Sequence, residues 1–176
     1  MKTEVVKIAS LEADSAKIAA AARILDEGGV VAFPTETVYG LGCRAEAPAI
    51  ARLNELKGRP ADKRYTLHIA NAEDVYRYVP SMPPHAAKLV RLTWPGPVTI
   101  VFQLSAADME KQKAVVSREA FDVLYSGSTI GIRCIDNETG QSLLRAAGRP
   151  IVAPSANRSG KRPAVTAAEV LAAFEG

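Results

Sequence analysis

The fold class is decided by the stretch Pro150-Ile151-Val152-Ala153-Pro154-Ser155-Ala156-Asn157. Its continuous apolar run at 151–153 is typical of a buried strand. Pro154 ends that strand because proline has no N–H to donate to a sheet ladder. The small polar residues Ser155 and Asn157 follow directly. A buried strand that stops in polar side chains indicates an α/β sheet with a site at its strand ends.

Three further segments show the same pattern of an apolar strand that stops in polar or charged residues. They are Phe33-Pro34-Thr35-Glu36-Thr37, Thr66-Leu67-His68 and Ile132-Arg133. For one segment alone, turn formation or helix capping is the simpler interpretation. Side chains from several strand ends converge in open α/β sheets, so four such segments favour a shared binding site.

Helical patterns alternate with these strands along the chain. Apolar residues at 18, 21, 22 and 25 recur at i, i+3, i+4 and i+7 and predict a helix that Gly28 and Gly29 end. The patterns predict strands at 3–8, 30–33, 66–69, 98–102, 129–133 and 150–153, and helices at 48–57, 73–79, 85–92, 141–147 and after Thr166. This order predicts a single-domain α/β fold with a mixed, mostly buried sheet and flanking helices. The polar stretch 106–125 is compatible with helix but has no assigned place.

Composition and cysteine usage narrow the class of protein. The chain is 48% hydrophobic and 23% charged, as globular domains are. No apolar run approaches the roughly 20 residues that span a bilayer, and the N-terminus lacks a signal-peptide pattern, so we expect a cytoplasmic protein without a membrane partner. Cys43 and Cys134 are scattered, and neither they nor His68 and His85 have metal-ligand spacing. We therefore expect no metal site built from side chains.

The cations are concentrated in Lys57-Gly58-Arg59-Pro60-Ala61-Asp62-Lys63-Arg64, which holds four positive charges in eight residues. The spacing of these cations does not decide between two interpretations. The charges complement the negative end of a helix dipole, or they grip a polyphosphate, for which an arginine fork and a lysine point charge are complementary. The net charge of +3 suits an anionic ligand or RNA without choosing between them.

The sequence contains one of the two common nucleotide-binding motifs and lacks the other. The P-loop pattern is absent from the sequence. Residues 40–45 read Gly-Leu-Gly-Cys-Arg-Ala and match the dinucleotide fingerprint, but six residues separate them from the strand they should follow directly. We interpret this match as chance.

Four motifs occur in one order along the chain. They are 33–42 (Phe-Pro-Thr-Glu-Thr-Val-Tyr-Gly-Leu-Gly), 57–60 (Lys-Gly-Arg-Pro), 94–99 (Trp-Pro-Gly-Pro-Val-Thr) and 153–160 (Ala-Pro-Ser-Ala-Asn-Arg-Ser-Gly). Together they resemble the YrdC/TsaC family of threonylcarbamoyl-AMP synthases, over nearly the whole chain. The resemblance implies a YrdC-like domain over 1–176, with a twisted sheet and a concave basic face. Family members usually continue into a further strand beyond this length, so we expect a C-terminally shortened domain.

The resemblance also implies an activity and a set of site residues. L-threonine, bicarbonate and ATP give threonylcarbamoyl-AMP and pyrophosphate, with magnesium held mainly by the nucleotide. A downstream threonylcarbamoyl transferase then modifies an adenosine of tRNA, which this chain contacts indirectly or weakly. Catalytic and nucleotide roles fall on Lys57, Arg59, Ser155 and Asn157. Further ATP contacts fall on Lys63 and Thr129. Threonine contacts fall on Thr35, His68 and Arg133.

Elementary electrostatics agrees with this activity. Carbamate, threonine carboxylate and triphosphate must meet, and two like charges about 4 Å apart repel by roughly 4 kcal/mol at an effective dielectric near 20. Lys57, Arg59 and Arg133 lie in segments suited to offset that repulsion. Two alternatives remain: an RNA-binding module using the same basic face, and a carbamoyl-adenylate domain of a larger carbamoyltransferase. Against the first, aromatic residues are only 6% of the chain and do not interleave with the basic cluster.

Overall fold

A computed structural model describes residues 3–60 and 63–174, in which strands and helices alternate. The strands are β1 (Val31–Phe33), β2 (Gly40–Arg44), β3 (Thr66–Ile69), β4 (Ile100–Gln103), β5 (Tyr125–Ser126), β6 (Thr129–Cys134) and β7 (Ile151–Val152). The helices are α1 (Ser15–Asp26), α2 (Ala47–Lys57), α3 (Pro84–Thr93), α4 (Ala106–Val115), α5 (Arg118–Leu124), α6 (Glu138–Ala147) and α7 (Ala167–Phe174). A 3₁₀ helix spans Ala72–Arg77. No helix in these two ranges has the length and apolar character needed to cross a bilayer.

One mixed sheet organises the chain. Its strand order is β1-β2-β7-β3-β6-β4, and β5 pairs with β6 as well. The central pair β3 and β6 is parallel, whereas the other pairs are antiparallel. Helices flank the sheet, so the predicted single-domain α/β fold with a mixed sheet is confirmed.

The two faces of the central strands differ as the alternating sequence predicts. In β6, Ile130, Ile132 and Cys134 are buried while the residues between them are half-buried. Ile132 and Leu67 of β3 are neighbours in the larger hydrophobic cluster. A second cluster lies where α1 and α6 pack, and it includes Leu25. The core therefore has two parts, and the residues of β6 that alternate with its buried ones lie outside both.

The ends of two helices follow the predicted signals. Gly58 ends α2 with φ 58°, a left-handed conformation that glycine adopts without steric cost. At the start of α7, Glu169 Oε2 accepts from the Thr166 N–H at 3.3 Å, and Thr166 Oγ1 accepts from the Glu169 N–H at 3.2 Å. This is the reciprocal capping box that the sequence predicts.

Two local predictions change in the structure, and the interpretation of the dinucleotide match as chance is confirmed. Residues 3–8 form no strand, and Val5 is 59% exposed, so the alternating pattern there has no sheet to join. The helix predicted at 73–79 is a shorter 3₁₀ helix. Residues 40–44 are strand β2, which excludes the strand-turn-helix geometry that a dinucleotide fingerprint requires.

The polar stretch 106–125, which the sequence patterns did not place, forms α4 and α5, two helices that pack beside the sheet. Asp108 fixes α4 because its carboxylate accepts from Ser81 Oγ at 2.8 Å and from Ser105 Oγ at 2.9 Å. The Tyr125 hydroxyl joins Gln112 Oε1 at 2.9 Å and the Tyr78 carbonyl at 3.0 Å. Buried polar contacts of this kind anchor a polar segment that hydrophobic periodicity does not place.

We predict that Ile132→Ala destabilises the fold far more than Val101→Ala. Ile132 is fully buried between β3 and β4, so its truncation leaves a cavity and should cost about 2–5 kcal/mol. Val101 is 66% exposed on the neighbouring strand, and its truncation should cost less than about 1 kcal/mol. Urea unfolding at an unchanged m-value measures both. Equal losses would contradict the assigned core.

Candidate functional site

The topology gathers the predicted site residues at two ends of the central strands. Strand β7 runs antiparallel to β3, and β6 runs parallel to β3. Ser155, which follows β7, therefore lies at the same end of the sheet as Thr129, the first residue of β6. Arg133 lies near the opposite end of β6, beside His68 of β3. We call these the Ser155 end and the Arg133 end.

Lys57 holds two loops together at the Ser155 end. Its Nζ donates to the carbonyl oxygen of Ser155 and, at 2.6 Å, to that of Asn157. In return, the Ser159 N–H donates to the Lys57 carbonyl at 2.7 Å. Lys57 is only 3% exposed, although it ends a surface helix. The loop after α2 and the loop after β7 are thus one connected unit.

The buried ammonium of Lys57 has an altered acidity. Burial, together with the nearby guanidinium of Arg59, lowers the pKa of Lys57 to about 8. The two carbonyl oxygens accept hydrogen bonds from the charged form and so offset part of the desolvation cost. Lys57 therefore still carries a positive charge at neutral pH, directly beneath the loop of Ser155 and Asn157.

Asn157 uses its polar atoms inside its own loop. Its Oδ1 accepts from Ser155 Oγ at 2.6 Å, and its Nδ2 donates to the carbonyls of Arg158 and Lys161, each at 2.8 Å. The residue is only 8% exposed. Asn157 fixes the shape of the loop, whereas Ser155 remains half-buried and closer to solvent.

Arg59 lies on the surface of this unit and is positioned by an aromatic residue. Its guanidinium stacks 4.8 Å from the ring centre of Tyr65, and its Nη2 donates to the Arg64 carbonyl at 2.9 Å. The Tyr65 hydroxyl in turn donates to Asn54 Oδ1. Arg59 Nε is buried and finds no acceptor among the described residues. Lys63 is exposed on the same loop.

The sequence patterns did not identify Tyr65 as the residue that positions Arg59. Tyr65 immediately precedes β3 and is buried at 7% exposure. The available signal was only that an aromatic residue follows an arginine within the same basic loop, where a cation–π contact between them is possible.

At the Arg133 end, an ion pair ties the loop after β1 to β6. Arg133 Nη2 donates to Glu36 Oε1 at 2.5 Å and to Thr37 Oγ1 at 2.8 Å. The other carboxylate oxygen, Glu36 Oε2, accepts from the Asp136 N–H at 2.9 Å. Burial alone would raise the pKa of Glu36, but the hydrogen bonds from Arg133 and Asp136 outweigh it and lower that pKa. Glu36 is a second residue that the sequence reading did not single out.

Thr35 and His68 lie around the same ion pair. Thr35 Oγ1 donates to the Val38 carbonyl at 2.6 Å and accepts from the Thr37 N–H at 3.2 Å, so the hydroxyl shapes the loop. His68 Nδ1 is 3.1 Å from the Thr66 carbonyl, which can only accept, so Nδ1 carries the proton. Burial lowers the pKa of His68 to about 4, which leaves a neutral ring with Nε2 as an acceptor.

Between the two ends lies an open sheet face formed by Thr66, Val101 and Gly131. Gly131 has no side chain, and Val101 beside it on β4 is 66% exposed. A Cβ added at Gly131 would meet Thr66 Oγ1 at 3.7 Å and Thr99 Cγ2 at 3.8 Å. Thr129 adjoins this face and donates from Oγ1 to the Ser126 carbonyl at 2.9 Å. Thr66 and Gly131 are half-buried and Val101 is exposed, so the middle of this face is in part open to solvent.

The structure thus brings the predicted residues together in two groups. Lys57, Ser155 and Asn157 are in direct contact, and Arg59 continues that loop. The residues expected to contact the substrate threonine lie near the Arg133 end. It consists of His68 on the strand beside Arg133 and of the loop that contains Thr35.

We predict that His68 makes the fold acid-sensitive between about pH 6.5 and 4. In this window the unfolded chain binds a proton that the folded histidine, with its pKa near 4, does not. The free energy of unfolding should therefore fall by about 3 kcal/mol as the pH falls through the window. His68→Gln should lose that slope in urea unfolding at several pH values. His85→Gln, at an exposed position on α3, should keep it. A parent slope that His68→Gln retains would contradict the assignment.

Comparison with known proteins matches nearly the whole chain to one family. The Sua5/YciO/YrdC family model, described as "Telomere recombination", matches residues 23–176. The threonylcarbamoyl-AMP synthase of Pyrococcus abyssi is 41% identical over 162 residues, covering 91% of this chain and 44% of the relative. The threonylcarbamoyl-AMP synthase of Halorhodospira halophila is 38% identical over 151 residues, covering 85% of this chain and 73% of the relative.

A solved structure shows the same fold. Pyrococcus abyssi Sua5 complexed with L-threonine matches with a TM-score of 0.75 and 40% identity, covering 91% of this chain and 44% of that one. The chain therefore spans about half the length of its Pyrococcus abyssi relatives. The matched family model and these identities establish that the chain belongs to the Sua5/YciO/YrdC family.

Proposed function

We propose that the chain is an L-threonylcarbamoyladenylate synthase, a nucleotidyltransferase that forms threonylcarbamoyl-AMP and pyrophosphate from L-threonine, bicarbonate and ATP. The observation that carries this proposal is the pairing of a cationic unit at the Ser155 end with a guanidinium at the Arg133 end of one open sheet face. Relatives named threonylcarbamoyl-AMP synthase, and a neighbour solved with L-threonine, support it. The product serves threonylcarbamoyladenosine formation in tRNA.

The reaction needs positioning and charge neutralisation more than a protein nucleophile. The amine of L-threonine first forms a carbamate with the carbon of bicarbonate, and water is released. A carbamate oxygen then attacks the α-phosphorus of ATP, the bond from that phosphorus to the bridging oxygen breaks, and pyrophosphate leaves. Substrate groups at both ends are anionic, and preorganised cations lower the barrier by stabilising the charge that develops on the phosphoryl oxygens. A connected cationic unit has little reorganisation left to do during that step.

The Ser155 end is the proposed nucleotide site. Lys57 supplies buried positive charge, and Arg59 supplies a guanidinium fork suited to phosphate oxygens. Ser155 presents a half-buried hydroxyl, and Asn157 holds the loop that presents it. Lys63 and Thr129 are proposed as further ATP contacts from the exposed loop and the start of β6.

The Arg133 end is the proposed threonine site. Arg133 takes the α-carboxylate, because a guanidinium recognises that planar anion. His68 is neutral and offers Nε2 as an acceptor to a hydroxyl or ammonium group of the substrate. Thr35 shapes the loop beside this site.

Magnesium is proposed to enter bound to the triphosphate. Within residues 3–60 and 63–174 no three histidine, cysteine or acidic side chains converge as a set of ligands. The Ser155 end instead presents cations, which suits phosphate oxygens that share their charge with a metal ion. Magnesium keeps several waters and binds few protein groups in such sites, and it would supply charge neutralisation at the triphosphate.

The proposed partners follow from the product. Threonylcarbamoyl-AMP is a mixed anhydride that a downstream threonylcarbamoyl transferase must accept, and tRNA meets this chain indirectly or weakly. We propose a cytoplasmic setting, where ATP, bicarbonate and tRNA are all present.

We predict that pyrophosphate release depends on bicarbonate and prefers threonine to serine to alanine. Serine loses one methyl group, worth about 0.8 kcal/mol, or roughly fourfold. Alanine also leaves the partner of the substrate hydroxyl unsatisfied, which costs about 1–3 kcal/mol, or roughly five- to 150-fold. The assay compares the three amino acids at fixed magnesium-ATP, with and without bicarbonate. Equal rates, or no effect of bicarbonate, would remove the threonine-carbamate mechanism.

We predict that Arg59→Ala weakens ATP binding about ten- to a hundredfold, because one charge-assisted phosphate contact of about 1.5–3 kcal/mol is lost. Calorimetric titration with ATP measures the change. Arg91→Ala removes a guanidinium from an exposed position on α3 and is the matched control, with unchanged affinity expected. An unchanged affinity of Arg59→Ala for ATP would contradict the assignment of the nucleotide site to the Ser155 end.

A further inference from the structure

We propose that Glu36 is a positioning residue that fixes the Arg133 guanidinium for the carboxylate of the amino-acid substrate. This inference rests on the proposed function and deepens it, because it explains how one arginine on an open face acquires a fixed direction. Glu36 touches no reacting atom and acts through Arg133.

Both oxygens of the Glu36 carboxylate are in use. One accepts from Arg133 Nη2 at 2.5 Å, and the other accepts from the Asp136 N–H at 2.9 Å. The Asp136 amide lies two residues beyond the end of β6, so the carboxylate bridges the arginine and the backbone that follows its own strand. A side chain held at both oxygens has little rotational freedom, and the guanidinium it holds shares that restriction.

The loop that carries Glu36 is itself packed closely. A Cβ built on Gly140, in the first turn of α6, would lie 2.8 Å from the Pro34 carbonyl oxygen and 2.7 Å from Ile135 Cδ1. The absence of a side chain at Gly140 therefore lets the loop approach the helix. Thr37 adds a second contact to Arg133 at 2.8 Å. Glu36 is thus presented by a fixed piece of backbone.

The hydrogen-bond inventory of Arg133 shows which groups remain for a ligand. Nη2 donates to Glu36 and Thr37. Nε is buried without an acceptor among the described residues, and no hydrogen bond from Nη1 is formed within residues 3–60 and 63–174. One end of the guanidinium is therefore anchored while other N–H groups remain unpaired. Arg44 also has a buried Nε without an acceptor while it pairs with Glu46, so this feature alone does not mark a ligand site; at Arg133 it coincides with a position beside the open sheet face.

Charge and geometry make opposite predictions for the loss of Glu36. As a nearby anion, Glu36 repels a substrate carboxylate, so its removal would tighten threonine binding if Coulomb forces dominated. As an anchor, it restricts Arg133, so its removal would weaken threonine binding because the side chain must be ordered by the ligand. The side chains of Arg133 and Glu36 are 15% and 17% exposed, and the Asp136 N–H holds the second oxygen of Glu36 in place. We infer that the anchoring effect dominates.

The test compares threonine binding by calorimetry in the parent, Glu36→Ala and Glu138→Ala. Glu138 is exposed at the start of α6 and serves as the matched control. We expect the threonine Kd to rise at least tenfold in Glu36→Ala, with an unchanged ATP Kd and an unchanged threonine Kd in Glu138→Ala. If Glu36→Ala does not fold, Glu36→Gln supplies the measurement, since one amide oxygen cannot accept from both partners and a smaller rise is expected.

A double-mutant cycle with Arg133→Ala separates positioning from general destabilisation. Glu36 should have no further effect on threonine Kd once Arg133 is absent, whereas a merely structural residue would add its full effect. Unchanged or tighter threonine binding in the Glu36 variant, or additive effects in the cycle, would overturn the inference. A parent that does not bind threonine would overturn it too. A parent that binds threonine but releases no pyrophosphate would overturn the proposed function alone.

Discussion

The structure depends on one buried charge, the ammonium group of Lys57, and on the two backbone carbonyls that accept from it. Desolvating a lysine is costly, and the cost is tolerated only where hydrogen bonds replace those of water. Here the replacements come from residues 98 and 100 positions away in the sequence. Because Lys57 is the last residue of α2, this contact fixes where the following basic loop begins and how the Ser155 loop is folded.

The two ends of the open sheet face differ in whether their cations have a carboxylate partner. At the Ser155 end, Lys57 and Arg59 have no carboxylate partner in the described chain, so positive charge accumulates, as several phosphate charges require. At the Arg133 end, Glu36 neutralises most of the arginine's field and leaves direction as its main contribution. A single carboxylate needs a well-aimed donor more than it needs a strong field. The distribution of acidic partners therefore matches one polyanion and one monoanion.

Local pattern identified most of the helices and strands, although not β2 or β5, and it did not identify the contacts between them. The alternation at 129–133 and the apolar spacing of α1 identify which faces are buried, because burial is periodic along a strand or helix. The same reasoning fails at 3–8, where alternation exists without a neighbouring strand. The motifs suggested the candidate site residues, but they did not indicate that Glu36 and Tyr65 hold Arg133 and Arg59. The partners of Glu36 lie 97 and 100 residues away, and no local period encodes them.

The polar residues of the site divide into those that hold shape and those left free to bind. The side-chain amide of Asn157 forms its hydrogen bonds within its own loop, and two of the three N–H donors of Lys57 bind carbonyl oxygens. Arg59 and Arg133 differ, since each keeps a buried Nε without an acceptor in the described residues. Unpaired buried donors are costly in a folded protein, and they persist where a ligand completes them. Arg44 shares this feature while it pairs with Glu46, so the assignment of Arg59 and Arg133 as ligand-binding groups rests on their place beside the open sheet face as well, whereas Lys57 and Asn157 hold the loops of the Ser155 end together.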